Sequence, residues 1–203
     1  WLIFRFKLFG KSESVSGPGS SLSETETTRE TILNLIANLE INSIGDAPCG
    51  DLFWMKKISQ SFPNYHGYDI ILPIVKRNRR EHPNLNFSQA DLVNEVIDKF
   101  DLIVCRDLLV HLTNHEALKV IMNFKKSSST YLLVTTFPAI KENVDLGKGI
   151  WRPLNLSLHP FNLGTPLDLF LENSSESRLH ADKSLGLWDL RKLDLTSGDF
   201  PST

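Results

Sequence analysis

The chain has 203 residues, 41% of them hydrophobic, which is enough to bury one core of ordinary size, so a single domain over 1–203 is expected. Its 22 basic and 24 acidic residues leave a formal net charge of −2, giving no general attraction to nucleic acid or to an anionic membrane. Two cysteines, Cys49 and Cys105, are too few for a disulfide scaffold and show no CxxC pairing for zinc or redox work, so a reducing, cytoplasmic setting is the expectation.

In chain order, the opening WLIFRFKLFG is apolar but carries Arg5 and Lys7. It is far shorter than the roughly 20 residues that span a bilayer and lacks the pattern of a secretory signal, so it reads as a packed terminal segment. Residues 11–23, KSESVSGPGSSLS, read as a loop and complete an N-terminal segment over 1–23. Between 24 and 39, Ile32, Leu35, Ile36 and Leu39 recur at helical spacing behind an acidic, Thr-rich opening, as in an amphipathic helix.

A βα rhythm follows: strand 41–46, helix 51–60, strand 65–70, helix 72–80, strand 85–88, helix 90–97, strand 100–105, helix 114–125 and strand 130–136. Such alternation needs crossover connections and gives a mainly parallel sheet with helices on both faces, whose buried strands are apolar throughout, as in FDLIVC and TYLLVTTF. The rhythm makes 24–137 the ligand-binding core. After Phe137 it stops, and 138–166 reads as a lid or binding loop. Two further strands, 167–173 and 183–190, look like a closing hairpin before a tail over 191–203. Asn-x-Ser/Thr triplets at Asn86, Asn155 and Asn173 are short enough to arise by chance.

In an open parallel sheet ligands bind beyond the carboxyl ends of the strands, where strand order reverses. The first strand ends in INSIGDAPCGD, which puts Asp46, Cys49, Gly50 and Asp51 in a tight turn where Gly50 permits positive φ or close approach of a ligand. Asp69 stands at the second tip, in YHGYDI. A carboxylate about 20 residues past a glycine-bearing first turn suits the two hydroxyls of a nucleoside ribose. Asp91, in NFSQADL at the third tip, is placed to accept from the exocyclic amine of adenine, and Arg106 and Asp107 follow the fourth strand in IVCRDLLVHL.

These residues resemble class I S-adenosylmethionine-dependent methyltransferases over nearly all of 25–190. GDAPCGD is similar to that family's motif I, GYD to its ribose carboxylate and QADL to its adenine-side acid. With SVSGPGSS upstream and WRPLNL, PFNLGTP and ADKSLGLW downstream, the chain looks especially like a poorly characterised bacterial-type branch. The resemblance implies a Rossmann-like α/β fold with seven strands in the order 3-2-1-4-5-7-6, the seventh antiparallel, and S-adenosylmethionine as cofactor. It implies cofactor contacts from Asp46, Ala47, Cys49, Gly50, Asp69, Ile70, Asp91, Leu92 and Arg106. Pro48 and Leu52 stand where the family commonly has glycine, and proline offers no N–H. A turn so poor in glycine disfavours phosphate cradling and weighs against NAD.

Asp107 and His111 are candidates for a general base near the fourth tip. Trp151, Arg152 and Asn155, in the long loop, are expected to touch a methyl acceptor, for which a polar or anionic small molecule is favoured. His111 and His115 share one helix face, but HLTNH lacks the Glu of HExxH and a third ligand, so no metal site is expected. The basic run at 76–81 reads as a solvated helix end. The leading expectation is a methyltransferase acting by direct displacement on an unidentified acceptor. A scaffold that keeps the fold without turnover ranks second, and a nicotinamide dehydrogenase third.

Overall fold

The computed structural model describes residues 14, 16–62, 64–147, 149–172 and 180–195. The apolar runs pair into a single seven-stranded sheet: β1 (Ser43–Asp46), β2 (Asn64–Asp69), β3 (Asn86–Gln89), β4 (Leu102–Cys105), β5 (Tyr131–Thr136), β6 (Asp168–Leu171) and β7 (Ser184–Asp189). Their order is β3-β2-β1-β4-β5-β7-β6, as expected. The first five pair in parallel, and β7 runs antiparallel to both β5 and β6. Strand order therefore reverses between β1 and β4.

The two-residue period of the strands sorts side chains into two apolar layers. Ile103, Cys105, Leu132, Val134 and Trp188 pack on one face with α3 (Asn114–Lys126), through Ala117, Val120, Ile121 and Phe124. Leu102, Val104, Leu133, Leu185 and Leu187 pack on the other with Ile32 and Leu35 of α1 (Glu26–Leu39) and Val75 of α2 (Leu72–Glu81). Each fully buried aliphatic side chain contributes about 1.5–3 kcal/mol relative to exposure. Local sequence sets the helix ends. Thr113 and Glu116 form a reciprocal capping box, α2 begins with a proline in its first turn, and Arg79 and Arg80 complement the dipole at its end.

Two expected helices do not form. In place of 51–60 there are two short 3₁₀ turns, Met55–Lys57 and Ser59–Ser61, because Gly50 (φ +52°) and Leu52 (φ +58°) turn the chain left-handed at its start. In place of 90–97 there is one turn. Asp91 Oδ1 accepts from the Val93 N–H at 3.1 Å, and this local bond competes with helix propagation. Ile97 and Phe100 then anchor an extended run leading to β4.

Among the described residues the loop 138–166 carries neither helix nor strand, yet Leu154, Leu156, Phe161 and Leu163 are buried in the α3-side layer. It is a wall of the core rather than a cover lying outside it. The expected hairpin forms, with Leu171 opposite Ser184 and Asp168 opposite Leu187. Residues 173–179 of its connection, which include the triplet at Asn173, and residues 1–13 and 196–203 lie outside the described residues. No helix among the described residues is long and apolar enough to cross a membrane.

Candidate functional site

Two adjoining cavities open at the carboxyl ends of β1–β4, at the reversal of strand order. One, of about 250 Å³, is walled by Cys49–Asp51, Asp69 and the stretch after β4 that holds Arg106, Asp107 and His111, with Ser16 and Ser20 closing one side. The other, of about 240 Å³, has an apolar wall of Ile70, Ala90, Leu92 and Leu112, with Asp91 among it. Pro48 and Leu108 line both and form the partition. A larger cavity, about 360 Å³, lies between Ser59–Phe62 and Glu81–Leu85, on segments that lead into β2 and β3. It is away from the strand tips, where open α/β sheets bind ligands.

The turn after β1 is built to be approached closely. Gly50 has φ +52°, and a Cβ there would sit 2.4 Å from Ser16 Oγ. Its N–H donates to Asp69 Oδ2 at 3.1 Å, and the Ile71 N–H donates to Asp69 Oδ1 at 2.8 Å. Asp69 is 6% exposed; burial pushes its carboxyl up, opposed by these two backbone bonds. Ile70 beside it is 55% exposed, an aliphatic side chain left at the mouth of the apolar cavity. Across that cavity Asp91 Oδ2 accepts from Asn94 Nδ2 at 2.8 Å. Ser14 Oγ donates to Asp51 Oδ1 at 2.8 Å, which ties the N-terminal segment over the turn.

Asp46 and Ala47 are not where the resemblance implied. Asp46 is 2% exposed and accepts from the Tyr65 hydroxyl at 2.6 Å, Ala47 donates its N–H to the Val104 carbonyl at 2.9 Å, and neither is in the lining of these two cavities. Burial, opposed by the Tyr65 bond and helped by Asp69, pushes the Asp46 carboxyl up to about 7. Cys49 lines the larger of the two tip cavities, but burial raises its thiol, as it does that of Cys105, so neither is an activated nucleophile.

After β4 the polar groups form a closed ring. Arg106 Nε donates to Glu172 Oε1 at 2.6 Å, and Arg106 Nη1 lies 3.1 Å from Asp107 Oδ2. Lys183 Nζ completes the circuit, 2.9 Å from Asp107 Oδ2 and 3.6 Å from Glu172 Oε2. Burial would push the Asp107 carboxyl up, but Arg106, Lys183 and His111 outweigh it and hold it below the usual carboxylate range. A carboxylate so held is a weak proton acceptor, which counts against Asp107 as the general base. Lys183 and Glu172 escaped the sequence reading. Their one signal was the hairpin itself, whose pairing brings the two together, with the Glu172 N–H donating to the Lys183 carbonyl at 2.9 Å.

The three residues expected to meet an acceptor line neither cavity. Arg152 is 3% exposed, with its guanidinium donating to the Leu112 carbonyl and, at 2.6 Å, to Asn114 Oδ1. Asn155 Nδ2 donates to the carbonyls of Pro138 at 3.1 Å and Ile140 at 3.0 Å. Trp151 packs edge-on against Phe137 and tilted against His180, with ring centroids 5.8 Å and 4.9 Å away. Buried polar groups must be paired, and a long loop without helix or strand has many carbonyls to satisfy, so these side chains turn inward. Among the described residues no group of three or more His, Cys, Asp or Glu is arranged to hold a metal ion.

No family model and no curated protein matches the sequence. Solved structures do share the fold. The methyltransferase domain of bacterial CtHen1 aligns over 83% of this chain and 100% of its own, with a TM-score of 0.61 at 11% identity. PigF with SAH aligns over 81% of this chain and 55% of its own, with a TM-score of 0.59 at 11% identity. The N-methyltransferase NodS from Bradyrhizobium japonicum WM9, in complex with S-adenosyl-L-homocysteine, aligns over 66% of this chain and 73% of its own, with a TM-score of 0.54 at 12% identity. Other methyltransferases align over only 51% to 64% of their own length. The sheet order and these likenesses together give the chain the Rossmann-like fold of class I methyltransferases.

Proposed function

We propose that the chain binds S-adenosylmethionine across the two tip cavities and transfers its methyl group to an acceptor. The observation that carries this reading is the pairing of two unlike cavities around one partition, with Asp69 in one and Ile70 and Asp91 in the other. A nucleoside with a charged tail needs that combination: a carboxylate for ribose hydroxyls, a flat apolar slot for a base, and an acceptor at the slot's edge. Of the expected contacts, Cys49, Gly50, Asp69, Ile70, Asp91, Leu92 and Arg106 line these cavities. NodS and PigF, which carry S-adenosylhomocysteine, add support through their shared fold.

Bound S-adenosylmethionine supplies a methyl group on a positively charged sulfur, open to direct displacement. The protein's task is to hold the acceptor in line with it and exclude water, and such alignment is worth roughly 7–11 kcal/mol. With Arg152 and Asn155 turned inward, the case for a polar or anionic acceptor loses its basis. Isothermal titration with S-adenosylmethionine, S-adenosylhomocysteine and NAD tests the reading. Binding of the first two and not of NAD is expected; binding of NAD alone would replace this reading with the dehydrogenase. A methyl-transfer assay with candidate acceptors then separates an enzyme from a scaffold.

A further inference from the structure

The stretch after β5 is inverted relative to an ordinary surface segment. Its polar side chains turn inward: Asn143 Nδ2 donates to the carbonyls of Asn155 and His159, both at 2.9 Å, and the Arg152 guanidinium to the Leu112 carbonyl and Asn114 Oδ1. Its aliphatic side chains face water instead. Val144, Leu146 and Ile150 are 54%, 48% and 52% exposed. Single exposed aliphatics occur on any protein and need no explanation, but three within seven positions of the chain, next to a buried Asn and a buried Arg, form a patch with a use.

The exposed side chains stand on an anchored backbone. The Asn114 side chain donates to the Asn143 carbonyl at 3.1 Å and the Asn114 N–H to Asp145 Oδ2 at 2.8 Å, while the Gly149 N–H reaches the His111 carbonyl at 2.8 Å and the Arg152 N–H the Val110 carbonyl at 3.0 Å. These bonds lay the segment along residues 110–116. From that wall His111 lines the cavity that holds Asp69, and Leu112 and Glu116 line the apolar one. Val144, Leu146 and Ile150 therefore rim the mouth on its β4–β5 side, and Ile70 and Leu72, 55% and 36% exposed, follow β2 on the other.

We propose that this rim receives the apolar body of the methyl acceptor, an aliphatic or alkyl-aromatic small molecule, and that Val144, Leu146 and Ile150 select it. The inference rests on the methyltransferase reading: S-adenosylmethionine occupies both cavities, so the acceptor approaches across the mouth and meets the rim. Removing water from half-exposed aliphatic side chains supplies affinity without a polar partner, which suits a segment whose own polar side chains are already bonded inward. A small molecule fits this patch better than a macromolecule. Three half-exposed side chains offer far less than the roughly 1,000 Å² of a stable protein interface. A net charge of −2 gives no pull toward an anionic bilayer.

The test uses the full chain and a homologous series of probes, 4-ethylphenol to 4-hexylphenol, titrated calorimetrically into protein saturated with S-adenosylhomocysteine. Saturable binding is expected, tightening about two- to fourfold with each added methylene, as apolar burial on a partly open rim requires. Leu146→Ser and Ile150→Ser should each weaken 4-hexylphenol by about three- to tenfold and flatten that dependence. Both side chains are half exposed, so neither change opens the core. Leu169→Ser, at a comparably exposed leucine on the edge strand β6, should bind as the native protein does. Absence of saturable binding, affinity independent of chain length, or an equal loss in Leu169→Ser would overturn the proposal. So would sedimentation with phosphatidylcholine vesicles in place of phenol binding, which would make the rim a membrane-facing surface. If S-adenosylhomocysteine does not bind while the phenols still depend on Leu146 and Ile150, the methyltransferase reading falls and the apolar site remains.

Discussion

The turn after β1 and the long connection after β5 both bring polar side chains toward the strand tips, and they spend them in opposite directions. In the turn the partners are near neighbours or the next strand tip. Asp69 binds the Gly50 and Ile71 N–H groups and still lines the cavity. In the connection Arg152 and Asn155 bind carbonyls of the loop itself and of the segment before α3. A tight turn between regular elements has few orphan backbone groups, so its side chains are free to serve a ligand. A long irregular segment has many, so its side chains serve the segment.

The contrast can be tested from its strongest consequence downward. Glu172→Ala should destabilise the fold by about 3–5 kcal/mol, because Arg106 and Lys183 are left as buried cations short of a partner, and denaturant unfolding reads the loss. A change near zero would mean that the ring is not tight in solution.

Asp46, beneath the turn, gives a pH signature. Its folded-state value of about 7 exceeds its ordinary 3.8, so the native state binds the proton more tightly than the unfolded chain does. Its contribution is fully present below about pH 4 and is lost as pH rises through about 7, roughly 4 kcal/mol in all. The stability difference between native protein and Asp46→Asn, measured across that window, should fall with pH. A flat difference would show the carboxyl to be hydrated.

Arg152→Ala should cost about 2–4 kcal/mol of stability, since two buried acceptors lose their donor, while the remaining folded protein binds S-adenosylmethionine normally. Weakened cofactor binding in a stable variant would return Arg152 to the site. On the proposed binding mode, in which Asp69 meets two hydroxyls and Asp91 one amine, Asp69→Asn should weaken S-adenosylmethionine by about 1.5–3 kcal/mol in calorimetry, and Asp91→Ala by less, about 0.5–1.5 kcal/mol. Equal losses would contradict the division of labour between the two cavities.

Much of the fold was legible because strand period and crossover rhythm are written in short windows. FDLIVC and TYLLVTTF were readable as central strands from their apolar runs alone, whereas the capping box that Thr113 and Glu116 form at the start of α3, within HLTNHEA, came from the structure. The two missing helices were not legible. Their apolar spacing is compatible with a helix, but the left-handed backbone at Gly50 and Leu52, and the side-chain bond of Asp91 to its own backbone, decided otherwise.

The sequence by itself therefore determined the order of the elements, the two-sided apolar layering and the strand-tip positions of Gly50, Asp69 and Asp91, since each depends on residues close together in the chain. Only the tertiary structure decided that Asp46 lies under the turn, that Arg152 and Asn155 face inward, and that Arg106 and Asp107 are locked to the hairpin. The ring joins residues 66 and 76 positions apart. No local pattern specifies such a pairing, because it exists only once β5 and β7 have docked and excluded the water that would otherwise solvate all four charges.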